Sequence, residues 1–512
     1  MKYISVPTKR SRACEGAAVP NGRLAAASQR RLRRFVKRLC SFLALGLTLV
    51  AHAADPRPNI LFCLADDASW HHFGANGDRV VRTPNFDRVA REGVNFRHAF
   101  CSSPSCTPSR GALLTGQQFW RLEDGANLWS RWPNKFPVYP DALAKAGYHV
   151  GLKGKGWGPG DATFTGRTNN PAGPGVKDFA TFLKNKPADK PFCFWFGSTD
   201  PHRLYDLGSG ARSGLKIADV QVPPYLPDTP AVRSDILDYY FEVERFDHDV
   251  GEMLKLLEDS GQLANTLVVV SSDNGWPFPH GKATCYDAGT RMPLAVRWPA
   301  RIKGGRTVDD FVSHIDLAPT FLEAAGLKPW PEMTGKSLWP LLASEKSGQI
   351  DATRDKMFFG RERHASVREG NVGYPVRAIR TTRFLYLRNF EPDRWPAGDP
   401  PIYGDVDQHL DIAGSPSKQA VVEHGDQPAV KRLFDLAFSK RPAEELYDLA
   451  RDPWQTNNVA GQPEFAAAQA TLRRELDAYL AATKDPRASG QGAQFDRYHY
   501  VTSGEPKKPA AK

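Results

Sequence analysis

Three short stretches of the chain are apolar without alternation: Asn59-Ile-Leu-Phe-Cys-Leu64, Phe192-Cys-Phe-Trp-Phe196 and Thr266-Leu-Val-Val-Val270. A strand covered on both faces reads this way, whereas a half-buried strand alternates, so the runs predict buried parallel strands. Each gives way within a few residues to polar groups: Asp66-Asp67, Asp200-Pro201-His202 and Asp273-Asn274. Open α/β sheets bind ligands beyond the carboxyl ends of their strands, so three separate segments deliver polar side chains to one rim. Between them, Ser234 to Asp259 spaces Tyr240, Val243, Phe246, Val250, Met253 and Leu257 at steps of three or four, one apolar helix face before Gly261. Asp141 to Gly147 and Asp316 to Gly326 read as further helices closed by glycine. Alternating strands and helices predict an α/β fold, a mostly parallel central sheet covered by helices on both faces.

The pattern changes near residue 350. Met357-Phe-Phe359 and Tyr374 to Arg380 read as strands, and Thr381-Thr382 turns into Arg383-Phe-Leu-Tyr-Leu387 to make a hairpin. Pro- and Gly-rich sequence covers Pro392 to Ser417, an amphipathic helix runs from about Pro463 to Thr483, and a polar tail follows. The expected organisation is an α/β domain over 55–350, a smaller α+β domain with an antiparallel sheet over 355–485, and a flexible tail over 486–512.

Charge adds a leader to this picture and removes one class of partner. Residues 1–53 hold eleven Lys and Arg against the single acid Glu15, which is ten of the formal net +11 of all 512 residues. The folded body is therefore near neutral and carries no signature of nucleic-acid binding. The basic stretch ends at Lys37-Arg38, the apolar run Leu39 to Val50 is short for a membrane span, and Ala51-His52-Ala53 offers a small-x-small cleavage site. These features predict an exported protein, periplasmic or secreted, with no stable membrane anchor. Five cysteines lie beyond the leader, at 63, 101, 106, 193 and 285, with no zinc-type spacing. Cys63 and Cys193 fall inside the apolar runs as buried hydrophobes. If Cys106 is modified, the remaining four permit two disulfides without requiring any.

The string with most chemistry is Cys106-Thr-Pro-Ser-Arg110-Gly-Ala-Leu-Leu-Thr-Gly116. It places a small reactive side chain at a helix start, where backbone N–H groups and the helix dipole favour an anion. Arg110, four residues on, adds a fixed positive charge over the same face. Asp66, Asp67, Asp273 and Asn274 supply hard oxygen donors from two strand ends, a set that suits Ca²⁺ better than zinc.

On Cys-x-Pro-x-Arg followed by Leu-Thr-Gly, the chain resembles the sulfatase family of the formylglycine-dependent type. Asn59-Ile-Leu-Phe with Asp66-Asp67, Thr83-Pro-Asn-Phe-Asp87, Ser272-Asp-Asn-Gly275, Gly281-Lys282 leading to Tyr286-Asp-Ala-Gly289, and Glu445-Leu-Tyr-Asp-Leu449 are similar to that family's other motifs, in the same order. Asp200-Pro-His-Arg203 and Trp276-Pro-Phe-Pro279 look most like heparan N-sulfatase-like bacterial members. The resemblance implies an alkaline-phosphatase-like fold and a sulfuric ester hydrolase acting on a sulfated oligo- or polysaccharide. It further implies Ca²⁺ held by Asp66, Asp67, Asp273, Asn274 and position 106, and oxidation of Cys106 to formylglycine (3-oxoalanine) by a formylglycine-generating enzyme. The hydrated aldehyde would attack sulfur, Arg110, Lys155 and Lys282 would stabilise charge, and His202 would protonate the leaving group.

One position departs from the family. Where it carries Gly-Lys-x-His, this chain has Gly154-Lys155-Gly156-Trp157, and an indole accepts no proton at neutral pH. Lys155 fits the register better than Lys153, and His280 or His364 are candidates to supply the missing base. Trp157, His364 and Arg377 are candidate substrate contacts, together with Arg361, Arg363, Arg394, Tyr374 and Trp395 of the smaller domain. Two other readings remain open at the level of sequence: a phosphonate or phosphate-ester hydrolase with similar metal carboxylates, and a sugar-binding pseudoenzyme.

Overall fold

The computed structural model describes residues 57–406 and 415–501. The expected leader, and the part of the expected tail beyond 501, lie outside the described residues.

The three apolar runs are adjacent in space. The first ten strands are β1 (Asn59–Ala65), β2 (Val94–Phe100), β3 (Ser130–Arg131), β4 (His149–Gly154), β5 (Gly160–Asp161), β6 (Phe192–Gly197), β7 (Thr266–Ser272), β8 (Arg291–Met292), β9 (Leu294–Arg297) and β10 (Arg306–Ser313). The central sheet has the order β10-β2-β9-β7-β1-β6-β4, with β8 also paired to β2. β1 runs parallel to β6 (Ile60 opposite Cys193) and to β7 (Ile60 opposite Leu267). Side chains of these strands divide between two cores: Leu61, Cys63, Phe194 and Val268 face one, while Ile60, Phe62, Trp195 and Val269 face the other. Burial on both faces explains why the sequence shows no alternation.

The sheet is mixed, because β9 is antiparallel to both β7 and β2. A parallel neighbour requires a crossover back to the far edge of the sheet. The chain after β7 instead stays at the carboxyl edge, spends residues 273–290 on loops and the short helix Asp287–Thr290, and re-enters from that side through β8 and β9.

Helices cover both faces. α1 (Pro84–Glu92), α2 (Cys106–Thr115), α3 (Tyr139–Lys145), α4 (Phe179–Asn185), α5 (Pro230–Asp259) and α6 (Leu317–Ala324) are the longest before residue 350. α5 begins four residues before the expected Ser234, because Thr229 caps it by accepting from the Val232 N–H and Pro230 occupies the first turn. Phe246, Val250 and Leu257 of α5 enter one core, and Leu317, Phe321 and Leu322 of α6 the other.

A second, four-stranded antiparallel sheet has the order β11 (Lys356–Arg361), β12 (Val376–Thr381), β13 (Phe384–Asn389) and β14 (Glu444–Asp448). α7 (Ala466–Ala482) lays Leu472, Leu476 and Leu480 against Ile379, Tyr386 and Leu446. From Arg57 onward the chain is one compact unit holding both sheets. The stretch 486–501 departs from the expected flexible tail. Phe495 is buried in the same apolar cluster, and its carbonyl accepts from Asn127 Nδ2 at 2.9 Å. One aromatic anchor and backbone hydrogen bonds order a segment whose composition is otherwise polar.

Candidate active site

Four parallel strands end at one place. β1 is followed by Asp66 and Asp67, β7 by Asp273 and Asn274, β4 by Lys155, and β6 by Asp200 and His202. Backbone bonds fix this edge: Asp66 N–H donates to Asp200 O (3.0 Å), Asp273 N–H to Ala65 O (3.1 Å) and Lys155 N–H to Gly197 O (2.7 Å). Gly154 just before Lys155 has φ +78°, and a Cβ there would lie 2.1 Å from Gly197 O, so only glycine lets β4 turn toward the rim.

α2 enters the same edge by its N-terminus. Cys106 is its first residue, Ser109 Oγ donates to Asp273 O (2.5 Å), and Gly116 closes the helix at φ +66°. Cys106 Sγ lies 3.4 Å from Asp66 Oδ1 and 4.0 Å from Asp67 Oδ1. Ligand atoms of Asp66, Asp67, Cys106 and Asp273 all fall within 4.8 Å of one another, and all four residues are buried. Asn274 donates from Nδ2 to Asp67 Oδ1 (2.6 Å), while its Oδ1 is buried without a partner. An orphaned buried carbonyl oxygen beside three carboxylates fits a hard cation bound through oxygen.

Three cations neutralise this cluster. Lys155 Nζ reaches Asp66 Oδ2 (2.6 Å), Lys282 Nζ reaches Asp67 Oδ2 (2.6 Å), and Arg110 Nε donates to Asp273 Oδ2 (2.7 Å). Lys153, the other register, is exposed. Arg110 Nη1 is held by the carbonyls of Lys155 and Gly156, and Nη2, buried without a hydrogen bond, lies 3.7 Å from Asp66 Oδ1. Burial raises the Asp66 carboxyl, but Lys155, His202 and Arg110 outweigh it and hold the group at about 2. Burial dominates at Cys106 and pushes its thiol well up, despite Lys155 and Lys282 nearby. A thiol there is a poor thiolate nucleophile.

His202 is exposed at the rim. Its Nδ1 donates to the Arg203 carbonyl (2.6 Å), which fixes the tautomer and leaves Nε2 toward the cluster, 3.8 Å from Asp67 Oδ2. Above the cluster opens a cleft of about 950 Å³ lined by Asp66, Cys106, Lys155, His202, Lys282 and His364. His364 Nδ1 is 2.8 Å from Ser105 Oγ, and burial with neighbouring cations pulls the imidazole down to about 3. It stands neutral beside the start of α2.

Several candidate contacts lie elsewhere. Trp157 does not line the cleft: it packs edge-on against Trp132 (5.2 Å), and a Cβ built on Gly111 of α2 would lie 3.3 Å from its Nε1. The indole occupies the back of α2. Arg377 is fully buried and paired with Asp485 (2.5 Å) and Glu362 (2.7 Å), so it binds protein and not substrate. Arg361 pairs with Asp405, Arg394 with Asp496, and Tyr374 is buried. His280 is buried against Tyr286 (4.0 Å) and Tyr225, so it supplies no base to the cleft. All five cysteines beyond the leader are free and buried.

The cleft also contains residues that sequence reasoning missed. Glu242 and Arg245 of α5 join Asp200 on one wall, with Arg245 Nη1 2.9 Å from Glu242 Oε2 and Nε 3.3 Å from Asp200 Oδ2. Burial and the Asp200 charge push Glu242 up to about 7. Trp129 stands on another wall. Glu242 lies on a long amphipathic helix and Trp129 in an irregular loop, and neither belongs to a motif that marks it.

A model of the sulfatase family matches residues 58–327, and a model described as N-sulphoglucosamine sulphohydrolase, C-terminal, matches 275–399. Human N-sulphoglucosamine sulphohydrolase is 31% identical over 493 residues, covering 86% of this chain and 93% of the relative. An ulvan-active sulfatase of Formosa agariphila is 29% identical, with 85% and 82% covered. A solved structure in complex with its substrate D-glucosamine-2-N,6-O-disulfate superposes with a TM-score of 0.62 at 21% identity, covering 84% of this chain and 98% of the other. A phosphonate monoester hydrolase of Agrobacterium radiobacter has the same TM-score at 18% identity, covering 85% and 97%, so fold alone does not separate the two chemistries. Family-model coverage over more than half the chain, together with the human relative, does: the chain belongs to the sulfatase family.

Proposed function

We propose that the protein is an exported sulfatase that releases sulfate from a sulfated glycan, using formylglycine made from Cys106 and a bound Ca²⁺. The observation that carries this is the position of residue 106, 3.4 Å from Asp66 at the floor of a cleft whose floor and rim hold Arg110, Lys155, Lys282 and His202. Asp66, Asp67, Asp273 and Asn274, with residue 106, would hold the metal. Hydrated formylglycine supplies a hydroxyl nucleophile toward sulfur, and Ca²⁺ supplies charge that favours its ionised form.

The chain's own residues do the rest. Lys155 and Lys282, each on a carboxylate at 2.6 Å, present ammonium groups to the oxygens of an entering sulfate. Arg110 anchors Asp273 and the carbonyls after β4, so the cation at the base of the site does not move. His202, with Nδ1–H committed to a carbonyl, has Nε2 free to take up a proton and, as the imidazolium, to deliver it to the departing oxygen or nitrogen. Trp157 supplies no proton, which leaves His202 and His364 as the two imidazoles lining the cleft among the described residues.

The substrate class follows from the relatives and the room available. One relative is a sulfohydrolase of N-sulphoglucosamine and another acts on ulvan, and about 950 Å³ accommodates more than one sugar ring. A formylglycine-generating enzyme is the required maturation partner. The test joins two measurements on protein from its native host: the mass of the peptide containing position 106, and sulfate release from N- and O-sulfated oligosaccharides beside an aryl phosphate. Loss of mass at 106 with sulfate release supports the reading, whereas an intact thiol, or turnover of the phosphate alone, defeats it. Asp273→Ala is expected to lose both activity and stoichiometric calcium, the latter read by elemental mass spectrometry.

A further inference from the structure

The cleft combines charged groups at its floor with one large aromatic surface on its wall. Trp129 is the only Phe, Tyr or Trp among the described residues lining it. Its surroundings are apolar or small on the near side (Leu128, Gly158, Pro159), with Leu204 and Pro277 also in the lining. Leu204 is 59% exposed and adds an aliphatic surface to this lining. A sugar ring has apolar C–H faces and a polar equator, so a flat indole on one wall of a cleft whose other wall carries carboxylates and Arg245 is chemically complementary to it.

The backbone shows that Trp129 is held in place. Its φ is +53°, the left-handed region that bulky residues avoid. Such a conformation persists when the surrounding structure over-determines it, and here it is fixed from both sides. Immediately before it, Leu128 N–H donates to Arg363 O (3.0 Å), and immediately after it, Ser130 and Arg131 form β3 against Gly160 and Asp161 of β5. That pairing keeps the loop beside Pro159, whose carbonyl accepts from Thr107 Oγ1 of the nucleophile helix at 2.6 Å.

The third support comes from the end of the described chain. Val501 N–H donates to Trp129 O at 2.7 Å, and the Tyr500 ring lies 6.5 Å from the indole at 47°. Arg363 binds the carbonyls of Tyr498 (2.8 Å) and His499 (3.3 Å) and sits 5.5 Å over the Tyr500 ring. Asn127, two residues before Trp129, bridges Phe495 O and the Arg363 N–H. Thus residues 495–501 clamp the loop that presents the indole.

We infer that Trp129 is the platform on which a sugar ring of the substrate rests, and that the C-terminal segment Phe495–Val501 positions it. The inference deepens the glycan reading and rests on it. Kinetics of Trp129→Ala, Trp129→Phe and Trp129→Leu on the sulfated disaccharide that the wild type cleaves fastest provide the test. Trp129→Ala is expected to raise KM about tenfold, with kcat within about threefold, because stacking acts on ring binding and not on the sulfur. Phe restores most of the loss and Leu, of similar bulk without a π face, does not. Inhibition by inorganic sulfate, which occupies only the anion site, stays at the wild-type value. Tyr500→Ala and Val501→Pro raise KM in the same direction, by about threefold. If the wild type cleaves sulfated sugars and Trp129→Ala leaves KM unchanged, or Leu rescues as well as Phe, the platform is wrong while the glycan reading stands. If the wild type cleaves no sulfated sugar, both fall together.

Discussion

The floor of the cleft and the four-stranded sheet both bury charge, and they arrange it differently. Around Cys106, Asp66, Asp67 and Asp273 meet Arg110, Lys155 and Lys282 in one volume that opens to solvent through the cleft. Around β11 and β12, Arg377 is closed off by Asp485 and Glu362, Arg361 and Arg368 share Asp405, and Arg380 grips Asp287 with two bonds of 2.9 Å. In the second set each guanidinium is planar, matched to a carboxylate and walled in by aromatic rings such as Phe119 and Trp120. Convergence on one open volume, and not the number of buried cations, separates a reactive site from a structural one.

The largest expected effect breaks the first region. If formylglycine forms at position 106 as proposed, Cys106→Ala removes the side chain it is made from, so sulfate release should fall by about 10⁴ or more. The small, buried replacement keeps α2 and the cation pairs, and the unfolding midpoint should stay near that of the wild type. Activity within tenfold of wild type would place the nucleophile elsewhere. Lys155→Ala is next: loss of one positioned cation should lower kcat by about 10²–10³, and Lys155→Arg should not restore it, because a planar fork does not replace a compact ammonium at Asp66.

Arg377 probes the other region. Arg377→Met leaves Asp485 buried without its cation, and breaking such a pair costs about 3–5 kcal/mol. Denaturant unfolding should show that loss, whereas kcat/KM per folded molecule should change little. A selective loss of activity with stability intact would return Arg377 to the substrate site.

The contrast also explains what could be read from the chain in advance. The strand ends carrying Asp66-Asp67, Asp200-Pro201-His202 and Asp273-Asn274 were visible because buried parallel strands are apolar throughout and the polar break after each is abrupt. Lys155 follows the less apolar β4 and was legible only through the family motif. The reversed β9 was not visible, because its direction depends on the path of residues 273–293 and not on its own four residues. Arg377 resembled an anion ligand because its partner Asp485 lies 108 residues further on, and composition says nothing of that pairing. Trp157 suggested a sugar contact in the same way, although Trp132 and α2 enclose it. Family motifs are divided too. Tyr286 and Tyr447 both donate to Glu445 Oε2, at 2.8 and 2.6 Å, and Asp287 takes Arg380. These motif residues join the two sheets and do not line the cleft.

The smallest effect lies between the two regions, at the cleft wall, where Glu242 is raised to about 7 by burial and by Asp200. A carboxyl whose folded pKa exceeds its unfolded value binds more protons in the native state through that interval. Its contribution to stability is therefore present below the unfolded pKa near 4.5 and lost as pH rises toward 7. Glu242→Gln removes this dependence. The variant should match the wild type near pH 4 and exceed it by about 1–2 °C in Tm near pH 8, a shift limited by the solvent that reaches the cleft. Equal midpoints at both pH values would mean that Arg245 compensates the charge fully. The wall would then resemble the structural pairs around β12 more than the reactive floor beneath it.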